Sequence, residues 1–528
     1  MTRFLIIDAT GAGKGIRKLT RDVIGSGARA VAGVLESFGC EARIMVPEVF
    51  FNAKSEVKQF DVLMCGGMSM DLEVMGEIVK IWRKIRGGVC IAGGPASAEA
   101  EKLLERGYDL VMVGEAEDTI AELLRGGLED GCLPGEDELR KTAGVSFLSS
   151  DGVAVKSDPR RTARLWEPSI ERVKDYPFYR VARVYVWCVR GCSNFYRTRI
   201  PLPDGKVCIE CSKCRSGNLK ERLECPVGIP PGCGYCSVPS MYGPPRSRSV
   251  ESILREIEGL LRQGVRRIYL GASCFLEFHR ERKVNGGVLT DPREPEPNYE
   301  YIEKLLMGLR EIVGDKAYVS VENVKASLFT REAASLISEY LPKTTIHFGG
   351  ETGSASHAAA LGRPAHPREV LSAVKKAVTA GLRPYVYFIH GLPGQTIKTA
   401  RQTARMIRET FRLGAEKITI YKFKPLPMSA FEKFREPPSA SRSKASRIIV
   451  KEVIRINKTL KKKMIGETLE VLVAEKGEGR FRGKFIAYPL RDGPTVILDG
   501  KARLGEKVKV RIVNVMSDKL VEGAVSDS

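Results

Sequence analysis

The chain has 528 residues, 43% of them hydrophobic, and a formal charge of +21 from 85 Lys and Arg against 64 Asp and Glu. That length predicts about three or four domains at ~100–200 residues each, and no apolar run reaches the ~18 residues of a membrane span. With 13 Cys, many close together, and only 5 His, the composition argues for a reducing cytoplasmic setting and metal binding rather than a disulfide framework. The positive charge favours an anionic partner, nucleic acid foremost; a Lys/Arg-rich surface of thermophile type is the plainer account of the same number.

Residues 1–128 alternate short apolar runs (RFLIID, ARIMVP, DVLMCGG, VCIAGG, DLVMVG) with helical segments near Val31–Phe38 and Glu73–Arg86. This predicts a doubly wound α/β domain with a parallel sheet, whose ligand loops gather at the strand C-termini. The run Gly93-Gly-Pro-Ala-Ser-Ala, followed by GYDLVMVGEAEDTIAELL, resembles the flavodoxin-like cobalamin-binding domain that precedes many radical S-adenosylmethionine (SAM) domains. That domain's cobalt-ligating His would follow the first strand. Here the segment reads Asp8-Ala-Thr-Gly-Ala-Gly-Lys14, and the first His is His279. The resemblance therefore implies cobalamin held without that His, or a structural relic. Gly11–Gly15 lacks the GxxxxGK[ST] spacing of a phosphate loop. Residues 129–180 read as a connector, in which GVSFLSSDGVAV is a hairpin turned at Ser-Ser-Asp-Gly.

At 181–437 strands and helices alternate again. ARVYVWCVRGC is a first strand ending in Arg190-Gly-Cys192; an insertion over 193–232 carries Cys208-x2-Cys211-x2-Cys214; then comes CPVGIPPGCGYCSVPSMYGPPRSR, Cys225 to Arg248, with a helix predicted over Ser249–Gln263. Thiols packed this tightly on a Gly/Pro loop suit a soft metal centre, with a structural zinc knuckle as the alternative. Cys233-Gly-Tyr235-Cys236, the Ser-Val-Pro after it and Gly243-Pro-Pro-Arg-Ser-Arg248 resemble the radical SAM superfamily. The resemblance implies three cysteines on a [4Fe–4S] cluster, a fourth iron chelated by SAM, reductive cleavage of SAM, and Tyr235 near the adenine. Two partitions of the thiols are open. In the favoured one Cys225, Cys233 and Cys236 hold the SAM cluster, and Cys208, Cys211 and Cys214 take Cys192 or Cys188 for a second centre. In the other Cys192 replaces Cys225, which closes the second centre. That centre is a second Fe–S cluster or zinc.

The resemblance extends downstream. Gly271 and Ser273 of RRIYLGAS occupy the place where relatives meet the SAM amino group. Gly349-Gly350-Glu351 resembles a SAM-binding motif, and Gly391-Leu-Pro393-Gly394 stands where relatives carry GLPGET. Six strands with crossover helices predict a partial (β/α)6 barrel with its site at the strand C-terminal face, beneath the long loop FLEFHRERKVNGGVLTDPREPEPN. His279, His347 and His390 fall near strand ends and read as hydrogen-bonding loop residues. Residues 438–462 form a basic hinge and helix. Residues 463–528 read as short strands of a small antiparallel β-barrel and resemble the TRAM domain, an RNA-binding module; Arg480, Arg482 and Lys484 lie on its expected RNA face, on charge alone. The expected function is that of a radical SAM transferase that methylthiolates or methylates RNA, with tRNA the foremost substrate, served by an electron donor such as ferredoxin or flavodoxin. The alternatives are a cobalamin-dependent methylase of a small molecule or protein, and a non-catalytic zinc-containing RNA-binding protein.

Overall fold

The computed structural model describes residues 2–15, 17, 21–163, 165–499 and 502–526. The chain divides into two units, residues 1–186 with 251–265, and residues 187–250 with 266–528.

In the first unit the strands are β1 (Arg3–Asp8), β2 (Val23–Ile24), β3 (Glu41–Met45), β4 (Val62–Gly66), β5 (Cys90–Gly93), β6 (Leu110–Met112), β7 (Val145–Leu148) and β8 (Ala154–Val155). The main sheet runs β3-β1-β4-β5-β6-β7-β8. Its first five strands are parallel, and β7 and β8 join antiparallel. The strands are apolar on both faces, as helix-covered parallel strands must be; Leu5, Ile7, Met75 and Trp82 lie in the core. The Ser-Ser-Asp-Gly hairpin of the expected connector extends this sheet. The turn after β1 closes on the Asp71 carboxylate, which accepts from the backbone N–H of Gly11 (2.9 Å), Gly13 (2.7 Å) and Met68 (2.9 Å). Gly11 and Gly13 have φ of 75° and 58°, a region where a Cβ is costly. The helix Val250–Arg262 belongs to this unit. Its Glu256 forms a 2.7 Å ion pair with Arg29, both side chains fully buried.

In the second unit, β9 (Arg183–Arg190) enters from the first and is followed by β10 (Arg246–Ser247), β11 (Arg267–Ala272), β12 (Tyr318–Val324), β13 (Thr345–Glu351), β14 (Arg383–His390) and β15 (Lys417–Lys422), ordered β10-β9-β11-β12-β13-β14-β15. β11 to β15 pair in parallel, joined by the helices Tyr299–Val313, Arg331–Tyr340, Pro367–Thr379 and Ile397–Arg412. Each crossover helix turns an apolar stripe to the sheet, such as Ile302, Leu305, Leu306 and Leu309. This sheet is a curled, open half-barrel. A basic helix, Lys444–Lys463, leads to five further strands, β16 (Thr468–Lys476), β17 (Phe485–Pro489), β18 (Thr495–Asp499), β19 (Lys507–Val515) and β20 (Leu520–Val525), closed in the order β16-β17-β18-β20-β19. Alternating residues fill the small barrel: Val471, Val473, Val496, Leu498, Val510, Ile512.

The turn after β17 docks on the half-barrel. Asp492, 8% exposed, accepts hydrogen bonds from the Tyr269 hydroxyl and from Thr345 Oγ1 (2.6 Å). Arg383 donates to the carbonyls of Arg491 (3.1 Å) and Asp492 (3.0 Å). Thr345 and Arg383 are the first residues of β13 and β14, so the carboxylate sits at the end of the half-barrel away from the strand C-termini. Among the described residues, no helix is long and apolar enough to cross a membrane.

Candidate cofactor site

The site is built where β9 ends. Gly191, at φ 82°, turns the chain so tightly that a Cβ would lie 2.3 Å from the Pro244 carbonyl oxygen. This close approach delivers Cys192 beside the Cys233–Cys236 loop. Asn194 ties the two: its backbone N–H points at Cys192 Sγ (3.4 Å), and its side-chain amide donates to Cys233 Sγ (3.3 Å) and to the Gly362 carbonyl (3.1 Å). The Cys236 thiol is pushed up to about 12, by burial first and then by the neighbouring Cys233 and Cys192. Cys192 is raised as well, by burial, against the pull of the Lys325 ammonium. Thiols held this way stay protonated until a cation or cluster takes the charge.

Gly234 is wedged into its place. Its N–H donates to the Leu361 carbonyl and its own carbonyl accepts from Phe431 N–H, both 2.8 Å. A Cβ there would meet the Phe431 ring at 2.3 Å.

Tyr235 connects this loop to β13. Its hydroxyl accepts from Arg363, which also donates to the Gly349 carbonyl (2.7 Å) and pairs with Glu351 at 3.2 Å. Burial raises the Glu351 carboxyl and outweighs the attraction of Arg363. It also works against the Arg363 charge, which Tyr235, Glu351 and Cys233 nevertheless hold firmly protonated. Gly350 lies against Phe388, where a Cβ would come within 2.9 Å. Of the other expected contacts, Ser273 donates its hydroxyl to the Gly191 carbonyl. The Pro393 carbonyl lies 2.8 Å from His357 Nε2, and Gly391, at φ 77°, packs on Pro437. Gly271 lies within β11. Thus the expected residues sit at the C-terminal ends of β11, β13 and β14.

Cys225 lies elsewhere. It lines a second pocket with Cys208, Cys211, Cys214, Arg197, Arg199 and Arg215. This differs from the favoured partition: Cys192 is the thiol beside Cys233 and Cys236, and Cys225 stands with the insertion cysteines. The cause is Arg197. Its buried guanidinium donates to the carbonyls of Phe195, Arg222 (2.9 Å), Leu223 (3.1 Å) and Ile229 (3.1 Å), winding the insertion around itself. Arg222 fastens the insertion to the long loop after β11 through a 2.5 Å ion pair with Asp291. Cys208 and Cys225 back onto an apolar cluster that includes Leu361, Phe431 and Tyr235.

Asn194, Arg197, Lys325 and Arg363 border these thiols and lie outside the sequence motifs; a polar residue two positions after a cysteine is the only signal for Asn194. His347 lies inside β13, stacked on Tyr385 at 5.2 Å and hydrogen-bonded to Tyr387, rather than in a strand-end loop. On the small barrel Arg480 and Arg482 are exposed. Lys484 is already paired with Asp499 (3.0 Å) and Glu522 (2.8 Å).

Among the described residues, no group of His, Cys, Asp or Glu closes tightly enough around one point for a single ion. The donor chemistry is what fits an iron–sulfur cluster: three soft thiols, two of them facing amide N–H donors of the kind that tune cluster sulfurs.

Known proteins agree with this architecture. The family model described as the radical SAM superfamily matches residues 225–407, and that of the TRAM domain matches residues 462–520. The radical SAM domain implies a [4Fe–4S] cluster and SAM, and with them an enzyme. An uncharacterized protein of Methanopyrus kandleri is 41% identical over 522 residues, covering 99% of this chain and 95% of its own length. The ribosomal protein uS12 methylthiotransferase RimO of Aromatoleum aromaticum is 24% identical over 53% of this chain and 62% of its own length. The tRNA-2-methylthio-N(6)-dimethylallyladenosine synthase of Endomicrobium trichonymphae is 22% identical over 53% and 62%. Among solved structures, the radical SAM methyltransferase TsrM of Kitasatospora setae, with cobalamin and a [4Fe–4S] cluster bound, shares the fold at a TM-score of 0.58 and 14% identity, over 82% of this chain and 78% of its own. The chain belongs to the radical SAM superfamily, in one full-length family with the Methanopyrus kandleri protein, and carries a C-terminal TRAM domain.

Proposed function

We propose that this enzyme is a transferase that modifies RNA, with Cys192, Cys233 and Cys236 holding the SAM-binding [4Fe–4S] cluster. The observation that carries the cluster assignment is that Tyr235, set between Cys233 and Cys236 in the chain, accepts from Arg363, which donates to the Gly349 carbonyl and pairs with Glu351. The thiol loop and the end of β13 are thus positioned by the same guanidinium, while Asn194 ties Cys192 to Cys233. When bound, the cluster supplies the electron that cleaves SAM. The chain's own part is to leave the fourth iron without a protein ligand, to bury the site, and to orient SAM along β11, β13 and β14. Cys208, Cys211, Cys214 and Cys225, which line one pocket, would be the ligands of a second centre, an Fe–S cluster or zinc. Four thiols close a metal site completely, which suits a structural or electron-passing role and favours methylation over sulfur insertion.

RNA is the substrate class favoured by the TRAM domain, the +21 charge and the tRNA-modifying relative; tRNA is the leading candidate, and a ferredoxin or flavodoxin the electron donor. Cobalamin is favoured by the fold shared with TsrM. The turn after β1 offers it no His, and its Gly11 and Gly13 amides are committed to Asp71. Cobalamin in this chain would therefore bind without a His ligand from that turn.

The test is anaerobic reconstitution with iron, sulfide, zinc and cobalt counted on wild type, Cys192→Ala and Cys225→Ala, followed by SAM consumption in the presence of tRNA and a strong reductant. Cys192→Ala should lose about four irons, the content of one [4Fe–4S] cluster, and all SAM turnover. Cys225→Ala should lose only the metal of the second centre. Loss of SAM binding in Cys225→Ala with an intact Cys192→Ala would overturn the partition.

A further inference from the structure

Behind Cys192 lies an ionic group that the SAM motifs leave unexplained. Glu277, fully buried, accepts from Ser193 Oγ and pairs with Lys325 Nζ. Lys325 follows directly on β12. Its side chain is 13% exposed, its Nζ lies 3.1 Å from Ser193 Oγ, and its backbone N–H points at Cys274 Sγ (3.3 Å). A second cation, Arg280, is fully buried 3.8 Å from the same Glu277 oxygen. It donates to the carbonyls of Asp291 (3.1 Å) and Pro295 and to Ser193 Oγ (3.4 Å), while its Nη2 has no partner. Lys325 and Arg280 share Glu277, and the neighbouring Asp291 is taken by Arg222, so three cations face two carboxylates. Buried charge is costly unless compensated, and the arrangement calls for a further negative charge in the same space. Ser193 adjoins Cys192 in the chain, which makes a thiolate-ligated cluster the anion at hand.

We infer that Lys325, held in place by Glu277, is the residue that sets the reduction potential of the first cluster, by presenting a fixed positive charge to its Cys192 side. The inference rests on the assignment of that cluster to Cys192, Cys233 and Cys236. Reduction adds one negative charge to the cluster. A cation fixed close by in a low-dielectric interior favours the reduced state, and a carboxylate opposes it. Ser193, Arg280, Cys274 and Glu277 face Lys325 and are common to every variant below except where named.

The experiment uses the full chain carrying Cys208→Ala, Cys211→Ala and Cys214→Ala, so that only the first cluster is loaded. That cluster is titrated with titanium(III) citrate while its electron paramagnetic resonance signal is followed. Lys325→Gln should keep its iron but show the midpoint moved negative, with about tenfold less reduced cluster at a fixed potential. Lys325→Arg should keep the parent midpoint, and Glu277→Gln should move it positive. A Lys325→Gln cluster with the parent midpoint overturns the inference, whatever happens to SAM affinity. Should Lys325→Gln not fold, a Glu277→Gln midpoint that stays put or moves negative overturns it equally. If the parent loads no iron, or loses none on Cys192→Ala, the cluster assignment itself fails and takes the inference with it.

Discussion

Arg363 is the side chain that links the Cys233–Cys236 loop to the end of β13, and Arg363→Gln exposes that link through pH. Arg363 and Glu351 are 9% and 13% exposed. Removing the cation strands a buried carboxylate, at a cost of about 3–5 kcal/mol at neutral pH. Part of that cost is independent of pH: the lost bonds to the Gly349 carbonyl and the Tyr235 hydroxyl are worth about 1–3 kcal/mol. The remainder titrates. Burial already raises the Glu351 carboxyl, and without Arg363 it rises further. A carboxyl whose folded value lies above its unfolded one binds its proton more tightly in the folded state. Its stability is intact below the usual range near ~4.3 and is lost as pH climbs through the raised folded value. The destabilisation by Arg363→Gln should therefore be smaller at pH 5 than at pH 8. Urea unfolding of the reduced, metal-free chain measures it at both. Glu351→Gln added to Arg363→Gln should recover the pH-dependent part. An equal cost at both pH values, or no recovery in the double variant, would refute a buried carboxylate as its source.

Three other outcomes follow from the geometry. Gly234→Ala puts a methyl 2.3 Å from the Phe431 ring; the loop must shift, so iron loading on Cys233 and Cys236 should fall while the circular dichroism of the fold is kept. Asp492→Ala strips the acceptor from Tyr269 and Thr345 and should cost about 2–4 kcal/mol, with Asp492→Asn costing less; thermal unfolding of the full chain reads both. Arg480→Ala and Arg482→Ala, exposed and basic, should weaken tRNA binding and flatten its salt dependence. Lys484→Ala, whose charge Asp499 and Glu522 already neutralise, should have little effect; filter binding across a salt series distinguishes them.

What the sequence determined by itself was local. Two periods, apolar strand and amphipathic helix, declared the parallel sheet of the first unit, the half-barrel and the small closed barrel. Contiguous motifs, Cys233-Gly-Tyr235-Cys236 and Gly349-Gly350-Glu351, mark chemistry because their residues act within one loop or strand end. Tertiary structure decided everything that requires distant segments to meet. By spacing Cys225 is slightly favoured over Cys192. The choice between them comes from a left-handed turn at Gly191 and from a buried Arg197 that winds 30-odd residues of insertion about itself. Lys325, Glu277, Arg363 and Asp492 sit in unremarkable sequence. They matter because a half-barrel brings its strand ends together and leaves few places where a charge out of water can be compensated.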